Sequence, residues 1–126
     1  MTKRILIVDD EPNIVISLEF LMKREGFQVS VAVDGQAALD KIAENIPDLV
    51  LLDVMMPKKS GFEVCQEVRA NPAWSAIKVV MLTAKGRDIE VQKGVALGAD
   101  AYVTKPFSTR ELVAKVRSVL GMDNST

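Results

Sequence analysis

Three carboxylates of this chain stand directly after short apolar runs. Asp9 and Asp10 follow the run at residues 5–8, and Asp53 follows the run at residues 49–52. Short aliphatic and β-branched runs are typical of strands that are buried on both faces of a sheet. A single carboxylate in such a place is more simply explained as a strand-end or turn residue. Three of them in equivalent places instead favour one common site.

Two other polar residues occupy comparable positions. Thr83 ends a fourth apolar run that begins at Ile77, and Lys105 comes shortly after a fifth strand predicted at residues 99–103. The carboxyl ends of parallel strands lie at one edge of an open α/β sheet, and ligands bind at that edge. We therefore expect five side chains to meet there: Asp9, Asp10, Asp53, Thr83 and Lys105.

These five residue types suit the transfer of a phosphoryl group. Three neighbouring carboxylates repel one another and need a compensating cation. A small set of oxygen ligands is typical of Mg²⁺. With Mg²⁺, a lysine and a hydroxyl around it, Asp53 is suited to act as the nucleophile, and the product is an aspartyl phosphate.

The elements that position these side chains are five units, each a strand followed by a helix. The units repeat at roughly 20 to 25 residues. The sequence therefore predicts an α/β fold, a doubly wound five-stranded parallel sheet with right-handed crossovers and helices on both faces. Ser60 with Glu63 and Ser108 with Glu111 form capping boxes that start the third and fifth helices. The fourth helix, at about residues 87–97, has a diluted apolar stripe, so we expect it to be weakly anchored. The second helix has a clearer apolar stripe: Ala38, Leu39, Ile42, Ala43 and Ile46.

Length and composition fit one domain. The chain has 126 residues, of which 48% are hydrophobic, and we expect a domain at residues 1–121 followed by a polar tail at residues 122–126. A run of eighteen apolar residues is absent, and Asp9 and Asp10 stand where a signal peptide would have its apolar centre. The sequence therefore predicts no signal peptide, no contact with a membrane and a cytoplasmic location.

Several function classes are excluded by residues that the sequence lacks. Histidine is absent, so catalysis by Ser-His or Cys-His pairs is excluded. The single cysteine, Cys65, is predicted to be a small buried hydrophobic residue on a helix, and Trp74 a packing residue. Residues 85–117 carry a small excess of positive charge, which is too weak to predict nucleic-acid binding.

The sequence resembles the receiver domains of two-component response regulators over residues 3–120. The motifs that carry the resemblance are Val8-Asp9-Asp10-Glu11, the segment 48–57 together with Gly61, Leu82-Thr83-Ala84, Gly98-Ala99-Asp100-Ala101-Tyr102 and Lys105-Pro106-Phe107. The resemblance implies the flavodoxin-like fold, with the strand order 2-1-3-4-5.

The resemblance also implies a role for each site residue. Asp53 is then the phosphoacceptor, and Mg²⁺ is bound directly by Asp10, by Asp53 and by the main-chain carbonyl of Met55, and through water by Asp9. Thr83 and Lys105 contact the phosphoryl group. The side chain of Tyr102 turns inward when Thr83 moves, and the Lys105-Pro106 peptide bond is cis.

The implied function is a phosphorylation-activated signalling switch in a phosphorelay. Its donor is a sensor histidine kinase or a phosphotransfer protein. The surface of helix 4, strand 5 and helix 5 then changes and regulates a downstream protein or an attached output domain. Such a domain is not an enzyme, because it catalyses only its own phosphorylation and dephosphorylation.

Some residues differ from common family patterns. Ala101 and Val91 stand where charged residues often form the dimer face of relatives that carry winged-helix DNA-binding domains, which argues against symmetric dimerisation through that face. Met55 and Lys85 flank the path of the hydrolytic water in the family. Because Met55 is a poor hydrogen-bonding partner for that water, we expect slow to moderate self-dephosphorylation.

Three alternative interpretations are open. A phosphatase that forms an aspartyl phosphate usually has a second aspartate two residues after the nucleophile, where this chain has Met55. A flavin or nucleotide module has a phosphate-binding loop rich in Gly, Ser or Thr after its first strand, whereas this chain has Asp9-Asp10-Glu11. A receiver that has lost phosphorylation is disfavoured, because every expected site residue is present.

Overall fold

The computed structural model describes residues 2–56, 59–84 and 88–122. Over these residues five strands alternate with five α-helices. The strands are β1 (Arg4–Val8), β2 (Gln28–Ala32), β3 (Leu49–Asp53), β4 (Lys78–Ala84) and β5 (Ala101–Lys105). The helices are α1 (Pro12–Arg24), α2 (Gly35–Glu44), α3 (Gly61–Ala70), α4 (Asp88–Ala96) and α5 (Thr109–Val119), and a short 3₁₀ helix (Pro72–Trp74) precedes β4.

The strands form one parallel sheet in the order β2-β1-β3-β4-β5, as the sequence predicts. All carboxyl ends therefore lie at one side of the sheet, which we call the carboxyl edge; the opposite side is the amino edge. The register pairs Asp53 with Leu82, the residue before Thr83, and pairs Ala84 with Lys105. The ends of β4 and β5 are therefore level with each other, and β3 ends two residues earlier.

Alternate strand residues pack on opposite faces, because successive side chains of a strand point to opposite sides. Leu6 and Val8 of β1 belong to a core with residues of α2 and α3, such as Ile42 and Val64. Ile5 and Ile7 belong to a second core with residues of α1 and α5. The prediction of helices on both faces is therefore confirmed.

Local signals explain where the helices begin. The Ser60 hydroxyl accepts from the Glu63 N–H, and the Glu63 carboxylate accepts from the Ser60 N–H, so the predicted capping box of α3 is present. At α5 the Ser108 hydroxyl accepts from the Glu111 N–H. Asp34 caps α2 in the same way, by accepting from the Ala37 N–H. Caps of this kind contribute about 1 kcal/mol each.

The prediction that β5 covers residues 99–103 is wrong by two residues. The N–H of Ala99 donates to the carbonyl of Gly94, the N–H of Gly98 donates to that of Val95, and Gly98 has φ +101°. These are the bonds of a Schellman motif, so the chain up to Ala99 still completes the end of α4. Lys105, predicted to follow β5, is consequently its last residue.

The predicted apolar stripe of α2 is wrong at its end. Ala43 and Ile46 are exposed, whereas Ala38, Leu39 and Ile42 are buried. Ala43 is on the exposed side within α2, whereas for Ile46 the reason is that α2 ends at Glu44 and the next residue already has an extended backbone. Ile46 therefore lies beyond the helix.

Other predictions about packing are confirmed. The side chain of Cys65 is fully buried, with its Sγ 3.7 Å from the carbonyl oxygen of Leu97. Trp74 is half-buried and packs against the core next to α2 and α3. Within the described residues, the helices are all too short or too polar to cross a membrane. The domain limit at residue 121 stays a prediction, and residues 123–126 lie outside the described part of the chain.

Candidate functional site

Asp9 is held rigidly at the end of β1. Its side chain is fully buried. One carboxylate oxygen accepts from the N–H of Glu11 at 2.9 Å, and the other accepts from Nζ of Lys105 at 2.9 Å. The Asp9 N–H donates to the carbonyl of Ala32 in the neighbouring strand. The carboxylate is therefore fixed by both its backbone and its side chain.

Asp10 and Asp53 complete an acidic cluster with Asp9. One carboxylate oxygen of each residue lies within 4.8 Å of the others. Asp53 is only 6% exposed, whereas Asp10 lies at the solvent-facing side. Three carboxylate oxygens at this spacing, two of them from buried side chains, match the oxygen ligands and partial hydration that Mg²⁺ prefers. The residues present therefore fit this ion.

Lys105 is the basic residue that faces this cluster among the described residues. Its Nζ lies 2.9 Å from Asp9, 3.4 Å from Asp53 and 3.7 Å from Glu11. Burial alone would lower the pKa of Lys105, but the hydrogen bond that Lys105 donates to Asp9 and the charges of Asp53 and Asp9 outweigh it and raise the pKa. Lys105 therefore stays protonated and supplies a fixed positive charge.

The ionised form of the Asp53 carboxyl group is destabilised by its surroundings. Burial and the negative charge of Asp9 raise its pKa from the usual 3.8 to about 6, while Lys105 and the N–H of Met55 act in the opposite direction. At neutral pH the group is mainly ionised but poorly solvated. Such a carboxylate gains more than an exposed one from a nearby cation, and it is well placed to act as a nucleophile.

Thr83 offers an unused hydroxyl at the end of β4. Its Oγ1 is buried and has no hydrogen-bond partner among the described residues. Buried polar atoms are rarely left unpaired, so this hydroxyl is suited to a group that arrives from outside the chain. Thr83 also lines a cavity of about 370 Å³. The other lining residues are Ala84, Asp88, Val91, Gln92, Tyr102 and Thr104.

The backbone next to Asp53 requires a glycine. A Cβ on Gly61 would lie 2.2 Å from the carbonyl oxygen of Asp53 and 2.9 Å from the Cα of Val54. The N–H of Gly61 also donates to the carbonyl of Val54 at 2.9 Å. The start of α3 therefore lies directly on the end of β3. The sequence identifies Gly61 only as a turn residue and does not predict this contact.

The structure brings together four of the predicted site residues: Asp9, Asp10, Asp53 and Lys105. Tyr102 is 44% exposed and lies at the cavity of Thr83. The Lys105-Pro106 bond is cis, as predicted. The predictions for Pro57 and Lys85 fall outside the described residues. The sequence does not predict that Glu11 lies close to Lys105. The sequence feature that indicates it is the acidic run that starts at Asp9.

Comparisons with known proteins agree with this geometry. The family model described as the response regulator receiver domain matches residues 5–117. A protein of Chloroflexus aurantiacus assigned as a response regulator is 35% identical, with a TM-score of 0.93 and coverage of 96% of this chain and 99% of that chain. Chemotaxis protein CheY4 of Vibrio cholerae is 30% identical, with a TM-score of 0.89 and coverage of 94% and 99%. NtrX of Brucella abortus is 27% identical, with a TM-score of 0.89, but the match covers 96% of this chain and only 27% of NtrX.

Proposed function

Because this chain belongs to the family of response regulator receiver domains, we propose that it is a phosphorylation-activated switch of a two-component phosphorelay. Receiver domains are signalling domains rather than conventional enzymes. The proposed phosphodonor is the phosphohistidine of a sensor histidine kinase or of a phosphotransfer protein. The acceptor is Asp53, and Mg²⁺ is the cofactor.

One observation carries this proposal. The buried carboxylate of Asp53 belongs to the acidic cluster, and Nζ of Lys105 lies 3.4 Å from it. A structural ion pair needs one partner of each sign, whereas this site has an excess of negative charge at a sheet edge. A divalent cation and a phosphoryl group together account for both the excess carboxylates and the unpaired hydroxyl of Thr83.

The chain's own residues have separate tasks in the transfer. A carboxylate oxygen of Asp53 forms the new P–O bond as the P–N bond of the donor breaks, and the imidazole leaves with the kinase. Lys105 balances the charge of the phosphoryl oxygens, and Asp10, Asp53 and the carbonyl of Met55 would hold Mg²⁺ directly, with Asp9 acting through water. The ion supplies further charge neutralisation when it is bound.

The switch follows from the same contacts. A phosphoryl group brings new negative charge and strong acceptors, so Thr83 gains the partner that it lacks. Thr83 and Tyr102 line the same cavity, and movement of Thr83 leaves room for Tyr102 to turn inward. The surface of α4, β5 and α5 then changes, and a downstream protein or an attached output domain responds to it.

The phosphatase alternative has less support. Met55, two residues after Asp53, has an apolar side chain that is 66% exposed, so it cannot act as an acid or base. We expect slow to moderate self-dephosphorylation for the same reason. We propose neither direct binding of nucleic acid nor contact with a membrane, and the cytoplasmic location stays a prediction.

The direct test is the intact mass of the protein after incubation with acetyl phosphate, with and without Mg²⁺. We expect a gain of one phosphoryl group that requires Mg²⁺ and is absent in Asp53→Asn. A matched control is Asp40→Asn, which removes an exposed carboxylate of α2 and should leave the gain unchanged.

A histidine kinase provides the second arm of this test. If neither acetyl phosphate nor a promiscuous histidine kinase phosphorylates the protein, the proposed function is wrong and a binding-only receiver is favoured. Phosphorylation of Asp53→Asn to the same extent would show that another residue is the acceptor.

A further inference from the structure

The connection between β3 and α3 is packed closely at both of its described ends. At its start, the N–H of Val54 donates to the carbonyl of Leu82 at 3.2 Å. At its end, Lys59 lies against the first residue of α2. A Cβ on Gly35 would lie 2.4 Å from both the Cβ and the carbonyl oxygen of Lys59. Real Cβ atoms do not approach other atoms so closely, so α2 can occupy this position only with glycine at residue 35.

The first turn of α2 is itself held rigidly. Gly35 is buried. The carboxylate of Asp34 accepts from the N–H of Ala37 at 2.8 Å, and the Asp34 carbonyl accepts from the N–H of Ala38 at 3.0 Å. These bonds fix the first turn of α2. A shift forced at this contact would therefore fall mainly on the side of Lys59.

Lys59 is also tied to α3. Its Nζ lies 3.0 Å from a carboxylate oxygen of Glu67. Lys59 is thus held between α2, through a backbone contact, and α3, through an ion pair. Because exposed ion pairs contribute little, the contact with Gly35 is the stronger of the two constraints.

We propose that Gly35 is a positioning residue for the Mg²⁺ site: it lets α2 support Lys59, two residues before Gly61, whose N–H holds the carbonyl of Val54 next to Met55. The N–H of Met55 acts on the Asp53 carboxylate and lowers its pKa, and the Met55 carbonyl is a direct Mg²⁺ ligand in the proposed function. This inference rests on that proposed site. Gly35 acts through Lys59 and does not touch the ion or the reacting atoms.

The test compares Gly35→Ala with Gly94→Ala. Both add one methyl group to a buried helical glycine, but the nearest atom to a Cβ on Gly94 is a flexible Met81 side-chain carbon at 3.4 Å. In metal-free protein we expect the Met55 amide to exchange its hydrogen about tenfold faster in Gly35→Ala. Calorimetric titration with MgCl₂ should show an affinity about tenfold weaker. Gly94→Ala should match the parent in both measurements.

Unchanged exchange of the Met55 amide in a folded Gly35→Ala protein would overturn the proposal. Because this measurement needs no metal, it remains decisive even if the parent fails to bind Mg²⁺, a result that would contradict the proposed function instead. Faster exchange with unchanged Mg²⁺ affinity would also overturn the positioning role.

If Gly35→Ala does not fold, Asp34→Ala replaces it, with Ser108→Ala as control. Each removes a side-chain cap that accepts from a backbone N–H three residues later, but only Asp34 fixes the first turn of α2, which supports Lys59. Exchange of the Met55 amide about two- to threefold faster in Asp34→Ala than in Ser108→Ala would support the proposal. Equal rates in the two variants would overturn it.

Discussion

The charged groups at the two edges of the sheet are arranged differently: the charges balance at the amino edge and do not balance at the carboxyl edge. At the amino edge, the Arg69 guanidinium donates to the carbonyls of Gly98 and Ile77 at 2.8 and 2.7 Å and to the Asp100 carboxylate at 2.6 Å. The same carboxylate accepts from the N–H of Val79 at 2.7 Å. At the carboxyl edge, three carboxylates converge near one lysine.

The difference separates a structural cluster from a candidate functional one. Around Arg69 the charges balance and the donors meet acceptors, so the network joins α3, β4 and the link between α4 and β5 without needing a ligand. Around Asp53 the charges do not balance, and a buried anion there reduces stability until a cation arrives. Four measurements test this contrast, in order of decreasing effect.

The largest expected effect is that of Arg69→Ala. The substitution removes three hydrogen bonds and leaves the carboxylate of Asp100 and two carbonyls with fewer donors. We expect the free energy of unfolding in urea to fall by about 3 kcal/mol. Arg24→Ala is the control, because Arg24 is exposed and its pair with Glu25 is long at 3.9 Å; it should cost less than about 0.5 kcal/mol. Equal losses in the two variants would contradict the structural role of Arg69.

Asp53→Asn should instead raise the free energy of unfolding. Because burial and Asp9 raise the pKa of Asp53 to about 6, the folded chain binds this proton more tightly than the unfolded chain. Its contribution to stability is present at low pH and is lost as pH rises from about 4 to about 6. In metal-free protein at pH 8, Asp53→Asn should therefore raise the free energy of unfolding by about 2 kcal/mol. At pH 4 the gain should nearly vanish, and a gain that is independent of pH would contradict this explanation.

Binding of Mg²⁺ should offset part of the excess negative charge at the carboxyl edge and so raise the free energy of unfolding. At ten times its dissociation constant, a ligand that binds only the folded chain adds about 1.4 kcal/mol to the free energy of unfolding. We expect this gain in thermal or urea unfolding at pH 8 for the parent and also for Arg69→Ala, since its substitution is remote. Asp10→Asn should lose most of the gain. A full gain in Asp10→Asn would show that Mg²⁺ binds elsewhere.

The smallest effect should come from Glu11→Gln. Glu11 lies 3.7 Å from Lys105, but its side chain is 63% exposed. Water screens such a pair, so the free energy of unfolding should change by less than about 0.3 kcal/mol at moderate salt. A loss above 1 kcal/mol would mean that the acidic cluster extends further than Asp9, Asp10 and Asp53.

The sequence predicts the parts of the fold that depend on short-range patterns. Residues 49–52 are apolar without interruption, because both faces of β3 are buried, and Asp53 follows as the first polar group. The capping box of α3 involves residues only three apart. The order of the chain then brings Asp9, Asp53 and Lys105 to one edge once the strands are parallel.

The features that the sequence does not predict depend on contacts between distant segments. Ile46 continues the helical spacing of α2, yet it is exposed because the backbone leaves the helix at Asn45. Lys105 lies within β5 because β4 and β5 stay paired as far as Ala84 and Lys105. The close contacts of Gly35 and Gly61 join segments that sequence spacing cannot relate.

The length of β4 determines how independently substitutions at the two edges of the sheet can act. Its seven residues, Lys78–Ala84, span about 23 Å, which separates the Arg69 network at the amino edge from the carboxyl edge, where the acidic cluster lies. Substitutions at such separations usually have additive effects. If the proposed function is correct, substitutions that change the phosphorylation lifetime at the carboxyl edge should therefore leave the heat tolerance set at the amino edge unchanged.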